Sequence, residues 1–329
     1  YNALNSKADD GSGAQKFYTE AQIDAMFADG AGFMNAALNG TGKKVRSKTS
    51  AGCAAGNSAT QAQFDDQIAD FTANVVSAWS ADASAGVAGK LTDATRSIHV
   101  NGAGHEIDQT FVKGLIGGMC LDQIVNNYLQ PCQLDSGTRR DDNTNGTLAS
   151  GKNYTDMEHK WDEAFGYLYG QEADYSRADL GSAPTGNGTT LNKYFKKIND
   201  SNMPGISQTV YDAFKLGRAA IVAGNYEVRD AQANIIKINL SKVIGYKSVD
   251  YLNGYMSKMA AGNTADAFHA LSEGYGFIMS LQFTNDGNDN PHFTKAEVDA
   301  MLAKLSDFWT VKDSDLTSMV SQIKSKMNI

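Results

Sequence analysis

No apolar run in the chain is long enough to cross a bilayer. The longest, such as Gly114-Leu-Ile-Gly-Gly-Met-Cys-Leu121, fall far short of the roughly 20 residues a membrane helix needs, so no transmembrane segment is expected. Basic stretches are missing too. Lys and Arg number 29 against 37 Asp and Glu, and a net charge of −8 makes nucleic acid and anionic membrane surfaces poor partners. Cysteine is scarce: three residues with no Cys-x-x-Cys pair argue against a structural zinc knuckle. None of the five histidines has another four residues away, so the His-Glu-x-x-His helix of a zincin is missing. Alternating segments are as rare. The one brief strand candidate is Ile98-His-Val100, and no sheet is expected.

What is present is helical periodicity in a chain whose 42% hydrophobic residues can fill a sizeable core. The start at Tyr1 rather than Met reads as a mature or trimmed form. After a polar leader, Thr19 with Gln22 three residues later caps a helix expected to reach about Ala37. Thr60 to Trp79 sets Phe64, Ile68, Phe71 and Val75 on one face, and His105 to Leu129 is a strong helix whose Gly114, Gly117 and Gly118 permit a close neighbour. Asp122 and Asn126 lie on its buried face. The preferred reading is a hydrogen-bonded core pair; the alternative is an outer carboxylate that orients a histidine ligand. If that helix runs to Leu129 it holds Cys120 away from Cys132, which favours a Cys53–Cys132 disulfide and leaves Cys120 as a small buried hydrophobe. Further helices are expected over 156–168, 191–201, 204–223, 226–246, 248–261, 264–283, 294–309 and 313–327. The fold class is therefore all-α, a duplicated helical bundle. Its segments are 1–58, with leader, helix and loop; 59–180, the first helical repeat; and 181–329, the second repeat with the C-terminal helices, with 174–190 as a linker.

The duplication rests on a spelling that occurs twice. Asp156, His159, Glu163 and Gly166 are spaced i, i+3, i+7 and i+10, which puts them on one side of a helix with Trp161, Phe165 and Leu168 on the other. Asp266, His269, Glu273 and Gly276 repeat the pattern, with Leu271, Tyr275 and Ile278 in the apolar positions. A His–Glu pair at i, i+4 is ordinarily a solvated surface pair worth a few tenths of a kcal/mol. The recurrence of both faces together makes His159, Glu163, His269 and Glu273 the candidate metal ligands. Asp156, Asp162 and Asp266, with Asp122 and Asn126, are candidates for the surrounding shell. If the two helices meet, imidazoles and carboxylates converge in a set suited to iron, zinc or manganese. Calcium has a separate candidate in Asp286, Asn288, Asn290 and Glu297, which fall at EF-hand spacings. Against it, Pro291 stands where a glycine is required, and Thr294-Lys-Ala-Glu297 spells an ordinary capping box, the preferred reading. The Asp141–Gly146 loop lacks a terminal acid, since Lys152 occupies its place.

Glu158-His-Lys-Trp-Asp-Glu-Ala-Phe-Gly-Tyr167, with Lys113-Gly-Leu-Ile-Gly and Leu121-Asp-Gln-Ile-Val-Asn-Asn-Tyr-Leu129 before it, resembles a family known mainly as a domain of unknown function, number 4856. That family is in turn similar to the imelysin-like proteins, and the resemblance extends from about Val75 onward. It implies a secreted or lipid-anchored envelope protein, all-helical and duplicated, periplasmic or attached to the outer membrane of Gram-negative bacteria and associated with iron acquisition. Imelysins were classed as peptidases on a His-x-x-Glu motif, yet many look like non-enzymatic binding proteins. Here Asp162 stands three residues after His159 and Glu163 four, so the acid carries over to either.

Two functions of different class follow. The first is an extracytoplasmic protein that binds a metal ion, iron or zinc, or an iron-bearing ligand, and works with envelope or outer-membrane uptake proteins. The second is a metallopeptidase with Glu163 as general base, weakened by the missing zincin motif. A third reading makes both faces structural glue, so that loss of Glu163 would cost stability rather than metal affinity. Asn145 and Asn187 begin Asn-x-Ser/Thr triplets that would matter only in a eukaryotic secretory context.

Overall fold

The computed structural model describes residues 1–53, 58–170, 172 and 188–329. The boundary expected at 180, most of the linker expected over 174–190, and Asn187 lie outside the described residues. Helices dominate. In chain order they are α1 (Glu20–Asp24), α2 (Val45–Lys48), α3 (Ser58–Asp70), α4 (Ile107–Leu115), α5 (Pro131–Leu134), α6 (Arg139–Thr144), α7 (Asp156–Tyr169), α8 (Leu191–Asp200), α9 (Ile206–Val222), α10 (Tyr226–Ala260), α11 (Thr264–Ser280), α12 (Lys295–Lys304) and α13 (Asp313–Met327). One contiguous apolar core runs from Ala3 to Met327 and takes side chains from all three expected segments. No helix among the described residues is long and apolar enough to cross a membrane.

The helix expected over 294–309 ends at Lys304, and two other departures have visible reasons. The first helix stops near Gly30 instead of Ala37, because Gly30 turns left-handed at φ 65° and lies where a Cβ would be 2.0 Å from the Lys43 carbonyl oxygen. The segments expected at 226–246 and 248–261 are one unbroken helix, α10, since the Ser248 hydroxyl donates to the Ile244 carbonyl (2.9 Å) and is absorbed by the helix itself.

The expectation of no sheet is also corrected. β1 (Gly89–Thr92) and β2 (Ser97–Val100) pair antiparallel, with Leu91 opposite Ile98. Asp93 closes the hairpin by accepting from the amides of Thr95 and Arg96 (2.8 and 2.9 Å), so the signal was an Asx turn rather than alternation.

The crossing of α4 and α11 positions the site. α4 continues through two wider, π-type turns to Tyr128, which realises the helix expected to Leu129. At Gly117 a Cβ would stand 2.2 Å from the Ser280 Cβ, and at Gly276 one would stand 2.5 Å from the Lys113 Cβ. Glycine on each helix therefore lets the two backbones touch, and the Ser280 hydroxyl lies 2.8 Å from the Gly276 carbonyl oxygen and 3.1 Å from that of Lys113. Cys53 and Cys132 form the expected disulfide with Cα atoms 6.0 Å apart, and Cys120 is free and buried.

Candidate functional site

The second signature face lies at this crossing. Glu106, at the N-cap position of α4, donates its backbone N–H to the Ser272 hydroxyl (2.9 Å), which holds its side chain beside α11. Its Oε2 is 2.6 Å from His269 Nδ1, while His269 Nε2 lies 3.6 Å from Glu273 Oε2. The other Glu273 oxygen is 3.1 Å from Lys113 Nζ, which also donates to Gln109 Oε1 (2.8 Å). Tyr251 hydrogen-bonds Glu273 and Tyr194, so α4, α8, α10 and α11 each contribute a polar side chain to one buried cluster. Burial opposes ionisation of Glu273, yet Lys113 and then His269 outweigh it and hold the carboxyl below its ordinary range.

A polar cleft of about 230 Å³ opens beside the cluster, lined by Glu106, Asp108, His269, Arg96, His99 and Trp79 among others. Asn5 and Gln109 both donate to Asp108 Oδ2, at 2.7 and 3.0 Å. Burial first, and then the neighbouring Glu106, push the Asp108 carboxyl up to about 7. His99 stacks on Trp79 with ring centroids 3.6 Å apart.

The first signature face is built differently. Thr155 and Glu158 form a capping box that starts α7, and His159 Nε2 lies 3.8 Å from Glu163 Oε1. Tyr154 stacks on the His159 ring, Lys160 donates to Glu163 Oε2 (2.7 Å), and Tyr128 hydrogen-bonds Glu163. No hydrogen bond or ion pair joins His159 or Glu163 to His269 or Glu273 among the described residues. Nor do those residues hold any group of three or more His, Cys, Asp or Glu placed to bind one metal ion.

The other candidates have definite places. Asp156 is exposed, and Asp162 pairs with Arg218 (3.0 Å), which also takes Glu158 (2.6 Å). Asp266 pairs with Arg96 and Lys258 and donates its backbone N–H to Asp93, so it fastens the hairpin to α11 rather than orienting His269. Asp122 accepts from the Ala51 amide and from Asn126 Nδ2 (3.0 Å each), and Asn126 also reaches the Phe283 carbonyl (2.9 Å). That is the preferred core pair, and burial raises the Asp122 carboxyl to about 6. In the calcium candidate, Asp286 Oδ1 accepts from the Asn288 and Asn290 amides, while Glu297 caps α12 with Thr294 and pairs with Lys326. Both acids are thereby engaged locally, Glu297 in the capping box that its spacing suggested.

Sequence reasoning missed Glu106, Lys113, Tyr194 and Tyr251. Glu106 and Lys113 come from α4, Tyr194 from α8 and Tyr251 from α10, so no spacing relates them to the signature on α11; the available hint was a lysine on the buried helix α4.

A family model described as domain of unknown function (DUF4856) matches residues 6–329. No curated protein and no solved structure matches the chain.

Proposed function

Because the chain belongs to the DUF4856 family, whose description carries no activity, we propose its function from the site: it is an extracytoplasmic binding protein that takes a metal ion, or a metal-bearing ligand such as an iron complex, on the second signature face. The observation that supports this reading is the clamp on His269. With Nδ1 donating to Glu106 at 2.6 Å, Nε2 is the nitrogen turned toward Glu273, and in the neutral ring it carries the lone pair that a cation would take in place of a proton. The 3.6 Å between Nε2 and Glu273 Oε2 leaves room for a cation bonded to both at about 2.0–2.2 Å. Two protein donors are fewer than a closed structural zinc site has, so the donor set fits an ion whose other ligands are solvent or a chelator. The Cys53–Cys132 disulfide supports an oxidising compartment outside the cytoplasm, where such a protein hands its ligand to an envelope uptake protein.

The peptidase reading has less behind it. Glu163, its general base, is bonded to Lys160 and Tyr128 instead of facing open metal coordination. A structural role for the second face has one specific observation in its favour, namely that Glu273 ties Lys113 of α4 to Tyr251 of α10.

The test is metal content of the never-chelated protein by plasma mass spectrometry, followed by add-back of iron and zinc. Bound metal that disappears in His269→Ala and persists in His159→Ala is the expected result, with circular dichroism showing both variants folded. No binding by the wild type after add-back overturns the proposal and leaves the structural role.

A further inference from the structure

Lysines from three helices gather around the tyrosine pair that borders the second signature face. The Nζ atoms of Lys113 on α4 and of Lys193 and Lys197 on α8 lie 5.8, 5.8 and 5.5 Å from one point, the centre of the Tyr194 ring. Lys247 Nζ on α10 lies 4.7 Å from the centre of the Tyr251 ring, and Tyr251 hydrogen-bonds Tyr194. Lys113 and Lys247 are buried, and each has a carboxylate partner, Glu273 at 3.1 Å and Asp250 at 2.9 Å. Lys193 and Lys197 form an exposed rim, and neither has an ion-pair partner among the described residues.

The fold gains nothing from this arrangement. Lys193 and Lys197 stand at i, i+4 on α8, where like charges cost helix stability. Among the charges that act most on Lys197, those of Lys247, Lys193 and Lys113 are positive, and only that of Glu273 is negative. Burial first, and then these neighbours, lower the Lys197 pKa, which is what ammonium groups do to one another when no anion lies between them. The chain has more acids than bases, yet among the described residues none pairs with either rim lysine.

The same charges bear on the form in which a metal can enter. Lys113 Nζ is 3.1 Å from Glu273, one of the two donors in the metal reading, so a bare dication on that carboxylate meets a buried like charge. An ion whose own ligands carry more charge than it does is instead drawn in by the lysines. We infer that the site takes its metal as an anionic chelate, an ion already held by a polycarboxylate whose outer oxygens bind Lys193 and Lys197. The inference rests on the metal reading for the ion alone, because the lysine rim is open to test with the metal-free acid.

The experiment is equilibrium dialysis of the full chain against ferric citrate, with iron read by plasma mass spectrometry, beside calorimetric titrations with metal-free citrate, inorganic phosphate and zinc chloride. Citrate alone is expected to bind one-to-one with Kd on the order of 1 mM, and ferric citrate at least about tenfold more tightly. The double variant Lys193→Glu, Lys197→Glu should weaken both by about tenfold or more, and so should a rise in ionic strength, by a smaller factor. Both lysines are exposed, so the variant does not put the core at risk, and circular dichroism checks its fold. No saturable binding of citrate or ferric citrate, unchanged affinity in the double variant, or phosphate binding as tightly as citrate would each overturn the inference; zinc chloride that still binds would then leave the metal reading standing with a bare ion. Equal affinity for citrate and ferric citrate would overturn the chelate and the metal reading together.

Discussion

On α7 the His159 side chain is 43% exposed, and the Glu163 carboxylate beside it is held by Lys160 from the same helix. On α11 the corresponding histidine is 15% exposed, and Glu273 is held by Lys113, which reaches it from α4 and is itself 9% exposed. Each glutamate also bonds one tyrosine, Tyr128 in the first case and Tyr251 in the second. The four signature positions are thus the same, and the partners of the two glutamates are of the same kinds, while His269 meets the Glu106 carboxylate and His159 is stacked on Tyr154. What separates the two faces is what packs over them. A lysine supplied from the same helix leaves the face open, whereas a lysine from a crossing helix closes it, so the sequence of a helix alone does not say whether its polar face is a surface or an interior.

Removing the carboxylate should separate the two faces most. Glu273→Ala leaves the Lys113 ammonium buried without its counter-charge, a situation that typically costs about 3–5 kcal/mol. Glu163→Ala removes a partly solvated pair and should cost under about 1 kcal/mol. Urea unfolding of both variants checks this, and equal losses would show that burial does not distinguish the faces.

The glycines test the same contrast without touching charge. At Gly166 a Cβ would meet nothing within 4 Å, so Gly166→Ala should raise stability by about 0.5–1 kcal/mol through helix propensity and a less flexible unfolded chain. At Gly276 it would stand 2.6 Å from the Gly114 backbone nitrogen as well as against Lys113, and Gly276→Ala should cost about 1–3 kcal/mol as α4 is pushed back. Opposite signs in thermal unfolding are the expected outcome. Two changes of the same sign would mean that the close approach of α4 and α11 is not what that glycine is for.

Much of this contrast was beyond the reach of sequence pattern. Periodicity located the helices because each buries a stripe against the core, as Trp161 does under Phe214, and that information is local. The capping boxes at Thr19 and Thr294 were equally local, since their partners sit three residues away. The hairpin escaped because its four-residue strands are held by Asp93 in the turn and by Asp266 from α11, neither of which leaves an alternating pattern. Glu106 and Lys113 escaped for a related reason. They approach His269 and Glu273 only because Gly117 and Gly276 let two distant segments cross closely, and the glycines read simply as permissive until their neighbours are known. Whether the two signature faces meet was left open at the same step, since nothing in either helix specifies which partner covers it.

The smallest effect should come from the aspartates that open each signature. Asp156 is exposed with no ion-pair partner among the described residues, and Asp156→Asn should change stability at neutral pH by less than about 0.5 kcal/mol. Asp266 experiences a burial penalty, but hydrogen bonds from Lys258 and Arg96 exceed it and hold the carboxyl below its ordinary range. A carboxyl depressed in the folded state stabilises at pH values above its unfolded pKa of about 3.9, and that contribution disappears as pH falls through the folded value. The stability difference between wild type and Asp266→Asn should therefore be largest near pH 7, at up to about 1 kcal/mol, and should shrink below about pH 4. Chemical unfolding of both proteins across that range measures it. No difference between the two proteins at any pH would mean that Asp266 acts through the N–H it donates to Asp93, which the variant keeps, rather than through its charge, and the hairpin would then be fastened to α11 by backbone geometry alone.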